Sequence, residues 1–343
     1  MNCSNLEIFT KEKLLSLTNI RQHEIKAGQC IQVLDENKNL AQLAKGNVKY
    51  VILTIPEDIG IRANQGRIGA SNGPIAFLNY FLNLQSNQYF DFTKLAILGQ
   101  VKVSDLRQEA SQVNDLTTLR EITSILDNRV SEIIKEILKY DLLPIIIGGG
   151  NNNSYPIIKA FYETKNTAIG CINIDPHLDF RCLEGRHSGN PFSYAQIHGY
   201  LDKYAVLGMQ ENYNNEEMLT RFKNNDFLAI SYEDMFLRNK ISFKDGLNHL
   251  IAYFKEYKSF IGLELDLDSI INIPTSARSP FGLTVEQGLQ AIYTLAKSLP
   301  TSYLHLSEAS PDLGFDDGVR CVGKTLAFLV LAYLKGQEDK DIN

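Results

Sequence analysis

The feature that most limits how this chain can fold is an alternation. Short runs of β-branched and aliphatic residues are followed repeatedly by longer stretches whose apolar residues fall three and four apart. Strands and helices taking turns in this way build βαβ units around a mostly parallel sheet. Strand-like runs lie at 50–55, 95–98, 143–147, 168–174, 204–207, 227–230, 260–265 and 303–306, and helical spacing covers 74–84, 116–139, 155–162, 216–223, 243–257, 284–298 and 320–334. Pro74 and Thr284 suit helix N-termini, where a missing N–H or a capping hydroxyl fits best. The pattern runs from about residue 48 to 335 without a Pro/Ser-rich linker, a repeat or a low-complexity tract. A length of 343 residues at about 150 per domain would allow two domains. The unbroken alternation favours one, over 46–335, with residues 1–45 as a polar extension packed on the outside and 336–343 as a charged tail expected to fray.

Composition excludes several function classes. Apolar residues make up 44% and charged residues 22% of the chain, ordinary for a globular protein with a real core. Lys plus Arg number 34 against 40 Asp plus Glu, a formal charge of −6, so nothing suggests nucleic acid or anionic lipid as a partner. The longest near-continuous apolar run, Leu326 to Leu334, is far short of the roughly 18 residues that span a bilayer and reads as a core helix. Residues 1–7 lack a basic segment followed by an apolar stretch, which gives the expectation of a cytoplasmic protein. The cysteines Cys3, Cys30, Cys171, Cys182 and Cys321 are odd in number and show no CxxC spacing. They argue against a disulfide framework or a cysteine zinc site and are expected to be reduced, mostly packing residues.

Functional residues of such sheets gather at the carboxyl ends of strands, and three ends carry unusual side chains. The strand at 168–174 runs directly into Asp175-Pro176-His177-Leu178-Asp179. Residues two apart in extended chain share a face, so two carboxylates and an imidazole can converge on one point and suit a divalent metal. A polar loop with a capping Asp fits this segment alone equally well. The second end places Glu264, Asp266 and Asp268 on one face of an apolar strand; three crowded carboxylates repel unless cations neutralise them. The third, Leu304 to Pro311, ends in Glu308, a residue whose meaning depends on its neighbours.

Together with Gly148-Gly149-Gly150-Asn151-Asn152-Asn153, these segments match in order and spacing, along nearly the whole chain, those of the ureohydrolase superfamily of arginases, agmatinases and formimidoylglutamases, which the sequence resembles. Residues 60–70 and the stretch Ser188-Gly189-Asn190-Pro191-Phe192 resemble the formimidoylglutamase branch most. The resemblance implies a three-layer α/β/α fold with a mostly parallel central sheet, a two-Mn2+ site and a small amidine or guanidine substrate, in an enzyme that often forms trimers or hexamers. Asp175 and Asp266 would bridge both metals, Asp179 would complete one side, and His177 with Asp268 the other. A hydroxide held between the metals would attack the amidine or guanidine carbon, and Glu308 would meet the cationic nitrogen of the substrate.

One departure stands out. The superfamily pattern has a metal-binding His after Gly150, and this chain has Asn151. A neutral amide oxygen is a poorer donor than imidazole, so the first metal site is expected to be weak or empty. His187 lies one residue from the position of a catalytic His in the arginases and is a candidate catalytic or proton-shuttle residue. The remaining histidines, His23, His198, His249 and His305, are read as packing or surface residues. A nucleotide-binding turn at Gly148–Gly150 is excluded because neither GxGxxG nor GxxxxGK[ST] is present. Arg62, Asn64 and Arg67, in a glycine-rich loop, suit carboxylate recognition and, with Ser188 and Asn190, form the expected substrate-binding set; pairing of these arginines with acids of a neighbouring segment is the alternative. Three functions compete: hydrolysis of N-formimidoyl-L-glutamate to L-glutamate and formamide, release of urea from a guanidino substrate, and a catalytically impaired relative with a structural or regulatory role.

Overall fold

The computed structural model describes residues 4–35, 39–314 and 317–340, so Cys3 and tail residues 341–343 lie outside the described residues. Among the described residues nine strands form one sheet: β1 (Leu6–Ile8), β2 (Tyr50–Thr54), β3 (Leu95–Val101), β4 (Leu143–Ile147), β5 (Ile169–Ile174), β6 (Leu201–Met209), β7 (Leu228–Ser231), β8 (Ile261–Asp266) and β9 (Thr301–Ser307). Their spatial order is β1-β3-β2-β4-β9-β8-β5-β6-β7. All pair in parallel except β1, which runs antiparallel to β3.

Strand alternation divides the core into two layers. Tyr50 and Ile52 point into one apolar cluster with helices Gly73–Phe81, Phe243–Phe254, Val285–Ser298 and Gly318–Lys340. Val51 and Leu53 point into another with helices Leu116–Leu138, Ser154–Lys165, Pro191–Ile197 and Glu216–Asn224. Both faces of the parallel sheet are therefore covered, which is why its strands read as nearly continuous apolar runs. Thr284 caps its helix as the sequence suggests, accepting a hydrogen bond from the Gln287 N–H. Among the described residues no helix is long and apolar enough to cross a membrane.

Three expectations need correction. Part of the N-terminal extension belongs to the sheet and its core: Leu6–Ile8 forms the edge strand β1, and Leu14 and Ile31 are wholly buried. A three-residue strand is too short to show a period. The tail does not fray where its charge begins, because the last helix continues to Lys340. Gln337 is buried and its amide donates to the carbonyl and hydroxyl of Thr301, at 3.2 and 2.6 Å. Of the described cysteines, all free, only Cys171 is buried; Cys182 and Cys321 are exposed.

The topology explains where the chemistry collects. β4, β9, β8 and β5 are neighbours in the middle of the sheet and parallel, so their carboxyl ends open on the same edge. The segments that follow them carry Asn151, Glu308, Asp266 with Asp268, and Asp175 through Asp179. Strands distant in sequence thus deliver their terminal side chains to one crevice.

Candidate metal centre

The two acidic segments meet. Ligand atoms of Asp175, His177 and Asp268 lie within 4.8 Å of one another, as do those of Asp175, Asp179 and Asp266. Asp175 belongs to both groups, so they adjoin and would offer two candidate cation positions side by side. Each acid is set by its strand end. Asp175 Oδ1 accepts the His177 N–H at 2.6 Å, and Asp266 Oδ1 accepts the Asp268 N–H at 2.9 Å; these tight local turns hold alternate residues toward one point. Asp179 and Glu308 both have left-handed backbone, φ 44° and 64°, an uncommon conformation for residues with a Cβ that collects at functional sites.

The cluster carries more negative charge than its surroundings compensate. Burial raises the carboxyl pKa of Asp175, Asp179 and Asp266, and neighbouring acids push each one further up. Burial also raises that of Glu308, against a backbone hydrogen bond from Asn151 that lowers it. Burial opposes a charge on His177, but Asp268 and Asp175 overcome this and raise its pKa well above the usual range. Asp268 Oδ1 is buried with no hydrogen-bond partner among the described residues. Crowded carboxylates, a ligating imidazole and an orphaned oxygen are what a divalent cation would satisfy, so these residues fit the implied metals.

Asn151 sits beside the cluster with its amide nitrogen toward the acids. Its Nδ2 donates to Asp179 at 2.6 Å and to Asp175 at 3.4 Å. Its Oδ1 faces the hydroxyls of Ser154 and Ser307, at 2.9 and 3.2 Å. The side chain therefore acts as a neutral donor to two of the acids, while its backbone N–H donates to Glu308 at 3.0 Å.

A cavity of about 330 Å³ opens onto this cluster, lined by His177, Asp179, Asp266, Asp268 and Glu308, with Asn64, Ser188, Gly189 and Ser276 on its wall. Asn64 Nδ2 donates to Ser188 Oγ at 3.3 Å, and Ser276 donates to Glu308 at 3.3 Å. Of the expected substrate-binding residues, Asn64 and Ser188 stand here. Arg62 does not: its guanidinium donates to the carbonyls of Ala110 and Val113. Arg67 is likewise held by the carbonyls of Thr275 and Ser276. Among the described residues neither pairs with an acid; both serve as clamps between segments. Asn190 is buried and its amide braces its own loop, bonding Gly185, Cys182, Arg186 and the His187 N–H. His187 is also buried, bonded to Glu184 and the Gly189 N–H, and does not line the cavity.

Two more sequence readings change. Glu264 lies two residues below the end of β8, directly opposite His305 on β9. His305 Nδ1 and Glu264 Oε2 are 2.5 Å apart, and Tyr303 donates to the same carboxylate at 2.6 Å. Glu264 is thus partnered beneath the cluster instead of joining it, and His305 has an acidic partner that spacing along one strand could not reveal. Sequence reasoning also missed Arg181 and Tyr213 on the cavity wall. Arg181 is half-exposed and pairs with Glu184 at 3.1 Å. Tyr213 stacks on His177, with ring centroids 5.4 Å apart and planes 17° from parallel. The position of Arg181 directly after Asp179-Phe180 was the available signal.

The chain is similar to known proteins over most of its length. A formimidoylglutamase of Macrococcus caseolyticus is 28% identical over 309 residues, 88% of this chain and 89% of that protein. Among solved structures, the Bacillus subtilis formimidoylglutamase superposes with a TM-score of 0.75 at 20% identity, covering 93% of this chain and 94% of that one. The Trypanosoma cruzi formiminoglutamase with Mn2+ gives 0.71 at 22%, covering 91% and 99%. The arginase family model matches residues 48–331, the whole stretch from β2 into the last helix, and this chain therefore belongs to the arginase family.

Proposed function

We propose that this protein hydrolyses N-formimidoyl-L-glutamate to L-glutamate and formamide at a site that holds Mn2+. The observation that carries the proposal is the pair of three-residue groups sharing Asp175, of which His177, Asp179, Asp266 and Asp268 line a cavity together with the acid Glu308 and the cation Arg181. Asp175, His177 and Asp268 would hold one cation; Asp175, Asp179 and Asp266 would hold the other. Bound divalent cations lower the pKa of water and stabilise developing negative charge, which removes the need for a protein nucleophile.

The chain's own residues supply recognition. Glu308, buried and aimed into the cavity, offers its carboxylate to the cationic formimidoyl nitrogen. Arg181 is the arginine on that wall and suits a carboxylate of the glutamate moiety through paired N–H donors. The Asn64 and Ser188 side chains offer neutral polar contacts on the same wall. The amide nitrogen that Asn151 turns toward Asp179 and Asp175 favours a weaker cation position on that side, so the protein is expected to keep fewer than two tightly held metals after chelator dialysis.

The test is an assay of the manganese-loaded protein with formimidoylglutamate, arginine and agmatine in parallel. Formamide from the first substrate and no urea from the others is the expected result. Urea release would move the protein to the guanidino hydrolases. Tight metal binding without turnover of any of the three would favour a non-catalytic relative.

A further inference from the structure

Glu57 has no place in the chemistry above, yet it is a fully buried acid beside the metal centre. It follows β2 and Pro56, and its two oxygens serve different segments. Oε2 accepts the backbone N–H groups of Ile59 and Gly60, at 2.7 and 3.4 Å, the start of the short helix Ile59–Ala63. Oε1 accepts the Gly150 N–H at 2.9 Å and the side-chain amides of Asn152 and Asn153 at 3.3 and 2.6 Å, all in the turn after β4. Every partner is a donor, which suits the ionised carboxylate alone. Burial raises the Glu57 pKa, and the Gly150 N–H works in the opposite direction.

The segments it joins form two sides of the site. The helix Ile59–Ala63 leads to Asn64 on the cavity wall, and the Gly60 carbonyl accepts the N–H of Ser188, also on the wall, at 3.0 Å. The turn carries Asn151 against Asp179. The fit between them is close: a Cβ on Gly60 would lie 2.0 Å from Asn152 Oδ1. From the opposite side Arg186, buried, donates to the Asn152 carbonyl at 2.8 Å and to Asn190 Oδ1 at 2.6 Å.

We infer that Glu57 is a positioning residue that registers the substrate wall against the metal-side turn, so that Asn64 and Ser188 on one segment and Asn151 on the other keep a fixed separation. The inference deepens the reading of the site given under the proposed function. Glu57→Gln is the sharpest probe. Its amide nitrogen must face either two backbone N–H groups or the Gly150 N–H and two carboxamides, so one of the two segments loses its acceptor whichever way the group turns.

The experiment measures Mn2+ affinity by titration, amide hydrogen exchange of peptides covering 57–66 and 148–154, and kcat and KM for formimidoylglutamate, in wild type and Glu57→Gln. The expected outcome is faster exchange in both peptides and a KM raised about tenfold, equivalent to about 1.4 kcal/mol, with Mn2+ affinity little changed because neither segment carries a residue assigned to the cations. A folded variant with a KM within about twofold of wild type, with its main loss in Mn2+ affinity, or with faster exchange confined to one peptide, overturns the inference. If Glu57→Gln does not fold, the double substitution Asn152→Ala with Asn153→Ala removes two donors to Glu57 and is judged by the same readouts and limits. Failure of wild type to hydrolyse formimidoylglutamate would refute the proposed substrate, while exchange in the two peptides still decides the role of Glu57.

Discussion

Asp268 and Glu57 are both buried carboxylates at the carboxyl edge of the same sheet, and their surroundings differ in kind. Asp268 has an oxygen with no hydrogen-bond partner among the described residues, and acids raise the pKa values of its neighbours. Glu57 is met only by donors. The same contrast holds between the Asp175–Asp179 segment, where like charges are gathered, and the Arg186–Asp127 pair, where opposite buried charges meet at 2.9 Å and the guanidinium lies 4.6 and 5.0 Å from the rings of Tyr155 and Tyr194. An unpartnered oxygen alone does not separate the two, since Asp127 Oδ1 lacks a hydrogen-bond partner among the described residues just as Asp268 Oδ1 does; the counter-charge does. A buried charge that meets its counter-charge within the chain is framework, whereas carboxylates crowded against one another suit a divalent cation.

The largest expected effect lies on the unsatisfied side. Asp266→Asn should reduce hydrolysis by on the order of a thousandfold, more than the ten- to hundredfold typical of residues that only support a ligand. The same substitution should make the metal-free protein more stable, because it removes one of several repelling carboxylates. A gain of about 1 kcal/mol would raise the melting temperature by roughly 2 °C. Manganese should stabilise wild type strongly, by about 2.7 kcal/mol at a hundred times its dissociation constant, and the variant little. Thermal melts with and without manganese check this. A metal-free variant less stable than wild type would mean that the acids are compensated after all.

The framework side is broken by Arg186→Met, which leaves Asp127 buried without its counter-charge and frees the Asn152 carbonyl and Asn190 amide. Burial already pushes the Asp127 pKa up, with Arg186 opposing it. Losing one member of a buried pair costs about 3–5 kcal/mol, measured by urea denaturation. Arg186→Met with Asp127→Leu should recover much of that loss, which separates an unpaired charge from lost packing.

The unequal legibility of these two sides in the sequence has a physical basis. The strands β2 to β9 and the candidate ligands Asp175, His177, Asp179, Asp266 and Asp268 could be read because alternation along an apolar run fixes which side chains share a face, and acids at its end have few reasons to be there. Glu57 and Arg186 look like ordinary loop charges, since their partners at 150–153 and at 127 are remote in sequence. Arg62 and Arg67 show the converse: a glycine-rich loop suggested substrate carboxylates, but the guanidinium groups found carbonyls at 110–113 and 275–276. Glu264 and His305 needed the β8/β9 register before either could be understood.

Asn151 lies on the boundary between the two sides, and substituting it sharpens the comparison. Asn151→His replaces a neutral donor to Asp179 and Asp175 with an imidazole that can ligate. Manganese affinity at the weaker position should rise about tenfold or more, equivalent to about 1.4 kcal/mol, with a gain in hydrolysis at limiting manganese. Isothermal titration with metal-free protein reads the first and the parallel substrate assay the second. Two tightly held Mn2+ in wild type after chelator dialysis would show instead that Asn151 already serves as an adequate ligand.

The smallest effect belongs to His187, which the sequence offered as a proton shuttle and the structure buries among loop contacts. Its Nε2 faces Glu184 at 3.2 Å and its Nδ1 accepts the Gly189 N–H at 3.1 Å, so the folded protein needs the neutral imidazole. Burial lowers its pKa from 6.5 to about 4, with Arg120 adding to the effect and Glu184 opposing it. The unfolded chain therefore binds a proton between those values and the folded chain does not. Stability from this residue is fully present above pH 6.5 and is lost as pH falls toward 4. The shift corresponds to on the order of 3 kcal/mol at most. His187→Asn should flatten the stability profile between pH 6.5 and 4 while changing kcat by less than about threefold, since general acid–base residues contribute a hundredfold or more. A hundredfold loss of kcat with the pH profile of stability unchanged would return His187 to the chemistry and take it out of the framework.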